Sequence, residues 1–427
     1  MAIEATKDAV HTAGQPERSG IGLALSGGGF RAALFHMGVL RYLAEAGQLA
    51  NVRTISTVSG GSIFGAYVAA HWDELARQSF SAAAYESVIS VPFAQVLTAR
   101  NLRNRWLAAS ILRLPRLLLP SYNRADVLAE LLDRWLYGGR MMQDLPPGLD
   151  LVINATSLAT GRQFRWRRDN LGEWQFGYPG YGDHPIRLAY AVMASSAAPI
   201  VTPPLRIDAG PYAWDKARPQ GDLWFADGGI YDNLGLEWFL RPDDTTDVVI
   251  VCEASGVMRL QWQNYSLGGL LGRAQGIQYE QSHAVRLRWL QDQFALQRRL
   301  ASMVKAGTME QAQAGALAGF TRKGVILSID KAASDLDWVP AHSFLPDSVV
   351  ARVARIRTDL DCFLPEEVEL LSYHGYELAH AYLSSFQPQM AVREPAWQID
   401  LSPQRMAAYD GVLAGSGKSF ARGRKMW

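Results

Sequence analysis

Three short stretches of this chain place reactive residues where the backbone could make use of them. The first is SGGGFR, Ser26 to Arg31. Three consecutive glycines let Gly27, Gly28 and Gly29 turn their N–H groups toward one point, and a helix starting there adds partial positive charge. That geometry suits a phosphate or a developing oxyanion. A dinucleotide fingerprint needs G-x-G-x-x-G, and the residues after Gly29 are the wrong size for it. The second stretch is TVSGGS, residues 57–62. A nucleophile elbow holds its serine at strained backbone angles and needs small neighbours so that strand and helix can approach. Gly60 and Gly61 meet that need around Ser59, but Thr57 stands where a glycine is expected. Read by itself, such a serine is as readily a turn or a helix cap.

The third stretch is WFADGGIYDNLG, residues 224–235. A strand ending at Asp227 and followed by two glycines would set a carboxylate at the mouth of a sheet. There it could take a proton from a serine hydroxyl within hydrogen-bond reach. An Asp-Gly turn is the plainer alternative. Asp227, Asp232 and Asn233 lack the alternating ligands of a calcium loop, so no metal site is expected; Asp232 and Asn233 read as tying down their own loop. Among the histidines that could complete a triad, His36 falls early on the first helix and His71 well down the second. His184, His283, His342, His374 and His380 stand outside glycine-rich strand ends. A two-residue Ser-Asp site is therefore preferred to a triad.

These stretches need elements to hold them. IGLALS (21–26) reads as a buried strand, with a helix behind it over 30–47 whose apolar face is Ala33, Leu34, Met37, Leu40 and Leu43. VRTISTV (52–58) is the next strand, followed by a helix over 61–77. Strand, glycine-rich turn and helix, occurring twice, open an α/β fold with a parallel sheet. Later strands are expected at 149–158, 247–255 and 324–330. Helices are expected at 184–201, ending before Pro199, and from about 274 to 305, with a late helix or pair at 365–386 broken near Gly375.

Composition bounds the class. The chain has 427 residues, 48% of them hydrophobic and 19% charged, with a formal net charge of +1, so no global field points to nucleic acid. Cys252 and Cys362 form no disulfide framework or zinc spacing. The first 20 residues carry mixed charge and no apolar h-region, and no apolar run reaches membrane-spanning length. Those features fit a cytoplasmic protein, with peripheral contact at a membrane and signal-independent export both open.

Residues 87–125 contain no Asp or Glu yet hold Arg100, Arg103, Arg105, Arg113, Arg116 and Arg124 among leucines and Trp106. An arginine-rich apolar segment suits the surface of an anionic bilayer. The alternative is a helical insertion whose leucines pack inward. Arg103, Arg105, Trp106, Arg113 and Arg116 are the membrane-surface candidates. GVLAGSGKSF (411–420) fails as a P-loop because Val412 takes the first glycine's place. Lys418, Arg422, Arg424 and Lys425 read as a solvated basic end.

Taken in order, these pieces resemble the patatin-like phospholipase family. The resemblance runs from about residue 20 to 235 and includes NATSLATGRQF (154–164) and ASSAAPIVTPP (194–204), with weaker similarity at 355–379. It implies a three-layer α/β/α fold with a mainly parallel sheet, and a lipid acyl hydrolase acting on phospholipid or other acyl-ester lipid. Ser59 would be the nucleophile and Asp227 the base. Gly27, Gly28 and Gly29 would form the oxyanion hole with Arg31 bracing it, and no metal or organic cofactor is required. The form SGGGFRA, with Ser26 and Ala32 where the family usually has Asp and Gly, looks more like the cytosolic phospholipase A2 group. Two other functions stay open: a catalytically weak or silent lipid-binding protein of the same fold, which Thr57 keeps in play, and an esterase or thioesterase on soluble acyl substrates. The expected organisation is a polar tail over 1–19, a hydrolase domain over 20–390, and a tail over 391–427. The domain holds core motifs at 21–235, an insertion at about 87–147 and a C-terminal part at about 255–390.

Overall fold

The apolar runs flanking the glycine stretches become the middle of one sheet. In the computed structural model, which describes residues 18–199, 201–241, 243–255, 266–318 and 321–417, the strands are β1 (Ile21–Leu25), β2 (Val52–Val58), β3 (Asp150–Ser157), β4 (Gln163–Trp166), β5 (Leu171–Gly172), β6 (Leu205–Ile207), β7 (Leu223–Asp227), β8 (Val248–Glu253) and β9 (Lys323–Ser328). The order is β5-β4-β3-β2-β1-β8-β9, with β7 added to β3 and β6 to β7. β3, β2, β1, β8 and β9 run parallel, whereas β4, β5, β6 and β7 pair antiparallel. β1 and β8 are near-continuous apolar runs, and β2 is buried at every residue but Arg53, because helices cover both faces of the sheet.

The helices that matter below are α1 (Gly29–Glu45), α2 (Gly60–Ala70), α3 (Val91–Ala99), α4 (Leu102–Leu112), α5 (Leu114–Leu117), α6 (Arg124–Leu132), α7 (Leu188–Ser195), α8 (Leu267–Lys305), α9 (Pro365–Phe386) and α10 (Pro403–Ser416). Alternation along β1 separates the two cores. Leu23 and Leu25 join Phe35, Leu40, Phe64, Leu371 and Tyr376 of α1, α2 and α9 on one face. Ala24, with Val249 and Val251, joins Leu234, Phe239 and the α8 residues Leu290 and Phe294 on the other. The result is a three-layer α/β/α sandwich. The strand order reverses beside β1, so the loop after β1 opens at a switch point, where α/β folds place ligands.

Several elements differ from expectation. The helix after β2 stops at Ala70, and a separate short helix covers Trp72–Arg77. The helix expected over 184–201 is confined to α7, and the one expected from 274 begins at Leu267. α9 is continuous through Gly375: this glycine is a contact point, because a methyl group there would overlap the Phe35 carbonyl of α1, and Gly38 plays the same part against the Ser372 carbonyl. Residues 403–416, expected within a tail, form α10 with Tyr409 and Leu413 buried; Gly411 to Ser416 of the P-loop-like stretch lie in it. Residues 1–17 and the basic residues Lys418, Arg422, Arg424 and Lys425 lie outside the described residues.

The α1–α9 contact gives a stability test. Gly375→Ala forces two packed backbones apart and should cost about 1–3 kcal/mol or more, read as a lowered denaturation midpoint with an unchanged slope.

Candidate active site

Strand pairing brings the serine and the aspartate together. Residues 150–154 of β3 pair with β2, ending at Val58 opposite Asn154. Residues 155–157 pair with β7, which runs the other way and ends at Asp227 opposite Ala155. β4 pairs with residues 153–156, so β2 and β7 must share the remaining edge of β3. Their C-terminal ends meet head-on, and Ser59 follows directly beyond one of them.

Ser59 has φ 50° and ψ −117°. Among the described residues, only Ser59, Ser79 and Phe80 are non-glycine with positive φ, a conformation that costs roughly 1–3 kcal/mol and persists only where surroundings enforce it. A methyl on Gly60 would overlap the Gly29 carbonyl, and one on Gly61 the Leu25 carbonyl. Thr57 is accommodated because its side chain turns away from Ser59. Its Oγ1 donates to the Val152 carbonyl at 3.3 Å and accepts from Ser62 Oγ at 2.9 Å. Gly65, one helical turn further on, clears space for its methyl. The Ser59 amide donates to Ser195 Oγ at 2.9 Å, and that hydroxyl donates to the Asn154 carbonyl at 2.6 Å.

Asp227 is buried and held at every polar backbone atom. Its N–H donates to the Ala197 carbonyl at 2.8 Å, and its carbonyl accepts from Thr156 Oγ1 at 2.8 Å. Oδ1 accepts the Gly229 N–H at 2.8 Å, and the Ser59 hydroxyl is near enough to favour the charged carboxylate. Burial pushes the Asp227 carboxyl up to about 6, outweighing the lowering by the Gly229 amide and the Ser59 hydroxyl. The next residue, Gly228, donates to the Ser195 carbonyl at 3.1 Å. Ser195, at the end of α7, thus holds the elbow through its side chain and the Asp-Gly-Gly turn through its backbone. Half-buried Tyr279 of α8 stands beside Gly229; burial first, then the Asp227 charge, raise its phenol well above the usual tyrosine range.

The glycine run divides its labour. Gly27 is fully committed, its N–H donating to the Asn233 carbonyl at 3.0 Å, so it is withdrawn from the expected set of oxyanion donors. Gly28 (φ 138°) and Gly29 (φ 58°) take backbone conformations that favour glycine, and among the described residues their amides engage no acceptor. α1 starts at Gly29 and α2 at Gly60, with no acidic residue in either first turn. Two helix N-termini therefore aim unneutralised partial positive charge at the Ser59 hydroxyl. Buried Arg31 braces the loop through the carbonyls of Ala254, Ala354 and Ile356 at 2.9–3.0 Å. Ser26 Oγ accepts the Ala254 N–H at 2.8 Å. His36, buried and lowered by that burial to about 4, donates from Nε2 to the Ser26 carbonyl at 3.0 Å. It is a neutral strut of the loop and no member of a triad. Asp232 accepts the amides of Leu234 and Glu237 at 3.1 and 2.8 Å, tying down its loop.

The arginine-rich segment folds as α3, α4 and α5. Arg103 is turned inward, 3.0 Å from Asp359. Trp106 is buried and donates from Nε1 to the Arg124 carbonyl at 2.7 Å. Arg113 and Arg116 share Glu130 at 2.9 and 3.3 Å. Of the five surface candidates, Arg105 and Arg116 are the exposed ones. The apolar residues behave oppositely: Ile111, Leu112, Leu114, Leu118 and Leu119 are 67, 80, 57, 83 and 53% exposed. A cavity of about 450 Å³ between α8 and β8–β9, lined by Glu253, His283, Phe294 and Asp330, includes neither Ser59 nor Asp227 and is separate from this site.

A strained serine facing a buried Asp-Gly-Gly strand end, in a three-layer sandwich with a glycine nest, defines a patatin-type α/β/α hydrolase scaffold. The sequence profile of the patatin-like phospholipases matches residues 23–240, and the chain belongs to that family, whose members act on lipid acyl esters. Similar solved structures include human GIVD cytosolic phospholipase A2, at 12% identity and a TM-score of 0.49, covering 88% of this chain and 62% of that one. VipD from Legionella pneumophila is similar at 14% identity and a TM-score of 0.34, covering 93% and 74%. No curated protein sequence matches the chain.

Sequence reasoning missed Ser195 and Tyr279, and it gave Asn233 only its own loop to hold, not Gly27. Ser195 lies in the ASSAAP stretch that carried the resemblance, but nothing in its spacing assigns it to the elbow amide. Ser195→Ala leaves that amide without its acceptor and should destabilise by about 1–3 kcal/mol, while turnover falls more than substrate affinity. The raised Asp227 carboxyl sets a second expectation. Stability from its protonated form is fully present below its unfolded value of 3.8 and is lost as pH rises toward about 6. Asp227→Asn should therefore abolish activity yet raise the melting temperature measured above pH 6.

Proposed function

We propose that the chain is a serine lipid acyl hydrolase, a phospholipase A that cleaves fatty acyl esters of membrane phospholipids through a covalent acyl-enzyme. The observation that carries this reading is Ser59 in a positive-φ elbow where the ends of β2 and β7 meet, beside a buried carboxylate whose proton affinity is raised. Ser79 shows that a plain turn can also hold a serine at positive φ, so it is the pairing of that strain with a buried carboxyl at the same strand junction that favours a nucleophile, and a carboxyl near 6 is a better matched base than an ordinary one.

In the first half-reaction Asp227 takes the Ser59 hydroxyl proton as Oγ bonds to the ester carbonyl carbon. The amides of Gly28 and Gly29 face the oxyanion, a contribution of roughly 3–4 kcal/mol per donor in hydrolases of this chemistry. The carbon–oxygen bond to the lysolipid breaks, and that oxygen leaves with the proton from Asp227. In the second half-reaction Asp227 takes a proton from water, whose oxygen attacks the acyl carbon. Ser59 Oγ recovers the proton, and the fatty acid is released.

Substrate enters from a lipid surface. The five exposed aliphatic residues from Ile111 to Leu119 form an apolar tip with Arg105 and Arg116 exposed on the same segment, the pairing that favours an anionic bilayer. This tip favours lipid over soluble esters and moves the membrane-facing role from Trp106 and Arg103 to the leucines.

A fluorophosphonate probe should label the wild type and fail on Ser59→Ala, and mass spectrometry of phospholipid digests should show fatty acid and lysolipid with the wild type alone. Labelling that survives Ser59→Ala would defeat the mechanism. The kcat/KM profile should rise with pH through about 6 as Asp227 ionises. Replacing Leu112, Leu114 and Leu118 together with Ser should weaken binding to anionic vesicles by about tenfold or more, measured by flotation.

A further inference from the structure

Both the oxyanion loop and the base of the helix that carries the exposed apolar tip rest on one short segment, residues 354–363. On its inner side, the carbonyls of Ala354 and Ile356 hold the Arg31 guanidinium at 3.0 and 2.9 Å. The Thr358 carbonyl lies so close to Gly29 that a methyl group there would overlap it. Phe363 packs edge-on against Phe30, with ring centroids 6.3 Å apart. Every residue from Gly29 to Arg31 thus touches this strap.

On its outer side the strap meets the arginine-rich segment. The Leu360 carbonyl accepts the Arg103 N–H at 2.9 Å, and the Phe363 N–H donates to the Leu97 carbonyl at 3.0 Å. Arg103 Nη1 sits 3.0 Å from Asp359 and 3.8 Å from Asp361. Arg103 is near the N-terminus of α4, capped by Asn101, whereas Ile111 and Leu112 end the same helix. Eleven helical residues make a rod roughly 16 Å long, with the lipid-facing tip at one end and the strap at the other.

The strap is stiffened from behind. Arg357 and Asp361 are fully buried, bonded at 2.8 and 3.0 Å, and Arg357 also reaches Glu367 at 2.7 Å. The Arg357 N–H donates to the Ser416 carbonyl of α10 at 2.9 Å, and Ser416 Oγ bonds Glu367. A buried network satisfied in this way moves as a unit. We infer that α4 and the 354–363 strap form a lever coupling the docked state of the leucine tip to the geometry of the oxyanion glycines, with the Arg103–Asp359 pair as its joint. The inference rests on the lipid-surface reading of the tip. It makes Asp359 and Arg103 positioning residues that act through Thr358 and Arg31.

The test follows amide hydrogen exchange in full-length Ser59→Ala, which cannot hydrolyse the probe, with and without vesicles of phosphatidylglycerol and phosphatidylcholine. Vesicles should slow exchange over residues 107–119 and also shift it by about threefold or more over residues 27–31. Adding Asp359→Asn, or separately Arg103→Gln, should keep the slowing at 107–119 and abolish the shift at 27–31. Protection at 107–119 with no change at 27–31, or a change that survives both substitutions, overturns the lever and leaves lipid docking standing. No protection at 107–119 overturns lipid docking and the lever with it.

Discussion

The site depends on one edge of one strand. β3 gives the first part of that edge to β2 and the rest to β7, and because these neighbours run in opposite directions their ends must collide. Register does the work of positioning: Val58 opposite Asn154 and Asp227 opposite Ala155 are consecutive rungs on the same rail. Asn154 sits at the junction. Its side-chain nitrogen donates to Ser56 Oγ and the Thr57 carbonyl, each at 2.9 Å, and its own carbonyl receives Ser195. A slip of one residue in either pairing would turn the terminal side chains to opposite faces of the sheet.

A head-on junction crowds backbones, and the crowding explains the glycines better than any single motif does. Gly27 lies against Asn233, Gly60 against Gly29, Gly61 against Leu25 and Gly228 against Asn154. Each is a place where a Cβ would push apart two elements that the chemistry needs within hydrogen-bond reach. Thr57 shows that the requirement attaches to the space and not to the position. With the glycine before the serine missing, room comes from Gly65 on the facing helix turn, and the threonine hydroxyl finds partners of its own.

Much of this was legible in the sequence, because β1 is an apolar run, β1 and β2 each lead through a serine into glycines, and the two βα units repeat one pattern. Ser59, Asp227 and the glycine nest stood out by residue type and context. What the sequence could not show were contacts made by backbone atoms across long separations. Withdrawal of Gly27 depends on a carbonyl 206 positions away, at Asn233; support of Gly29 and Arg31 depends on carbonyls at 354–358. Carbonyls carry no residue identity, so no pattern of letters announces them. The arginines misled for a related reason: six of them in an acid-free stretch look unpaired along the chain, yet Glu130, Asp359 and Asp361 reach Arg103, Arg113 and Arg116 from outside it.

The same geometry supplies what the proposed Ser59–Asp227 dyad would need to work without histidine. A solvent-exposed carboxylate would hold too little affinity for a serine proton, and imidazole ordinarily bridges that gap. Here burial raises the carboxyl itself, while two helix N-termini with acid-free first turns lower the energy of negative charge on the serine side. The gap is closed from both ends. His36, near the loop, is held neutral by burial and bonded to the Ser26 carbonyl, so it does not act as a competing base. The ionised aspartate is thus a stability liability that the fold offsets with the Gly229 N–H and the nearby Ser59 hydroxyl. The close α1–α9 packing at Gly38 and Gly375 fixes the helix whose first residue is Gly29 of the nest.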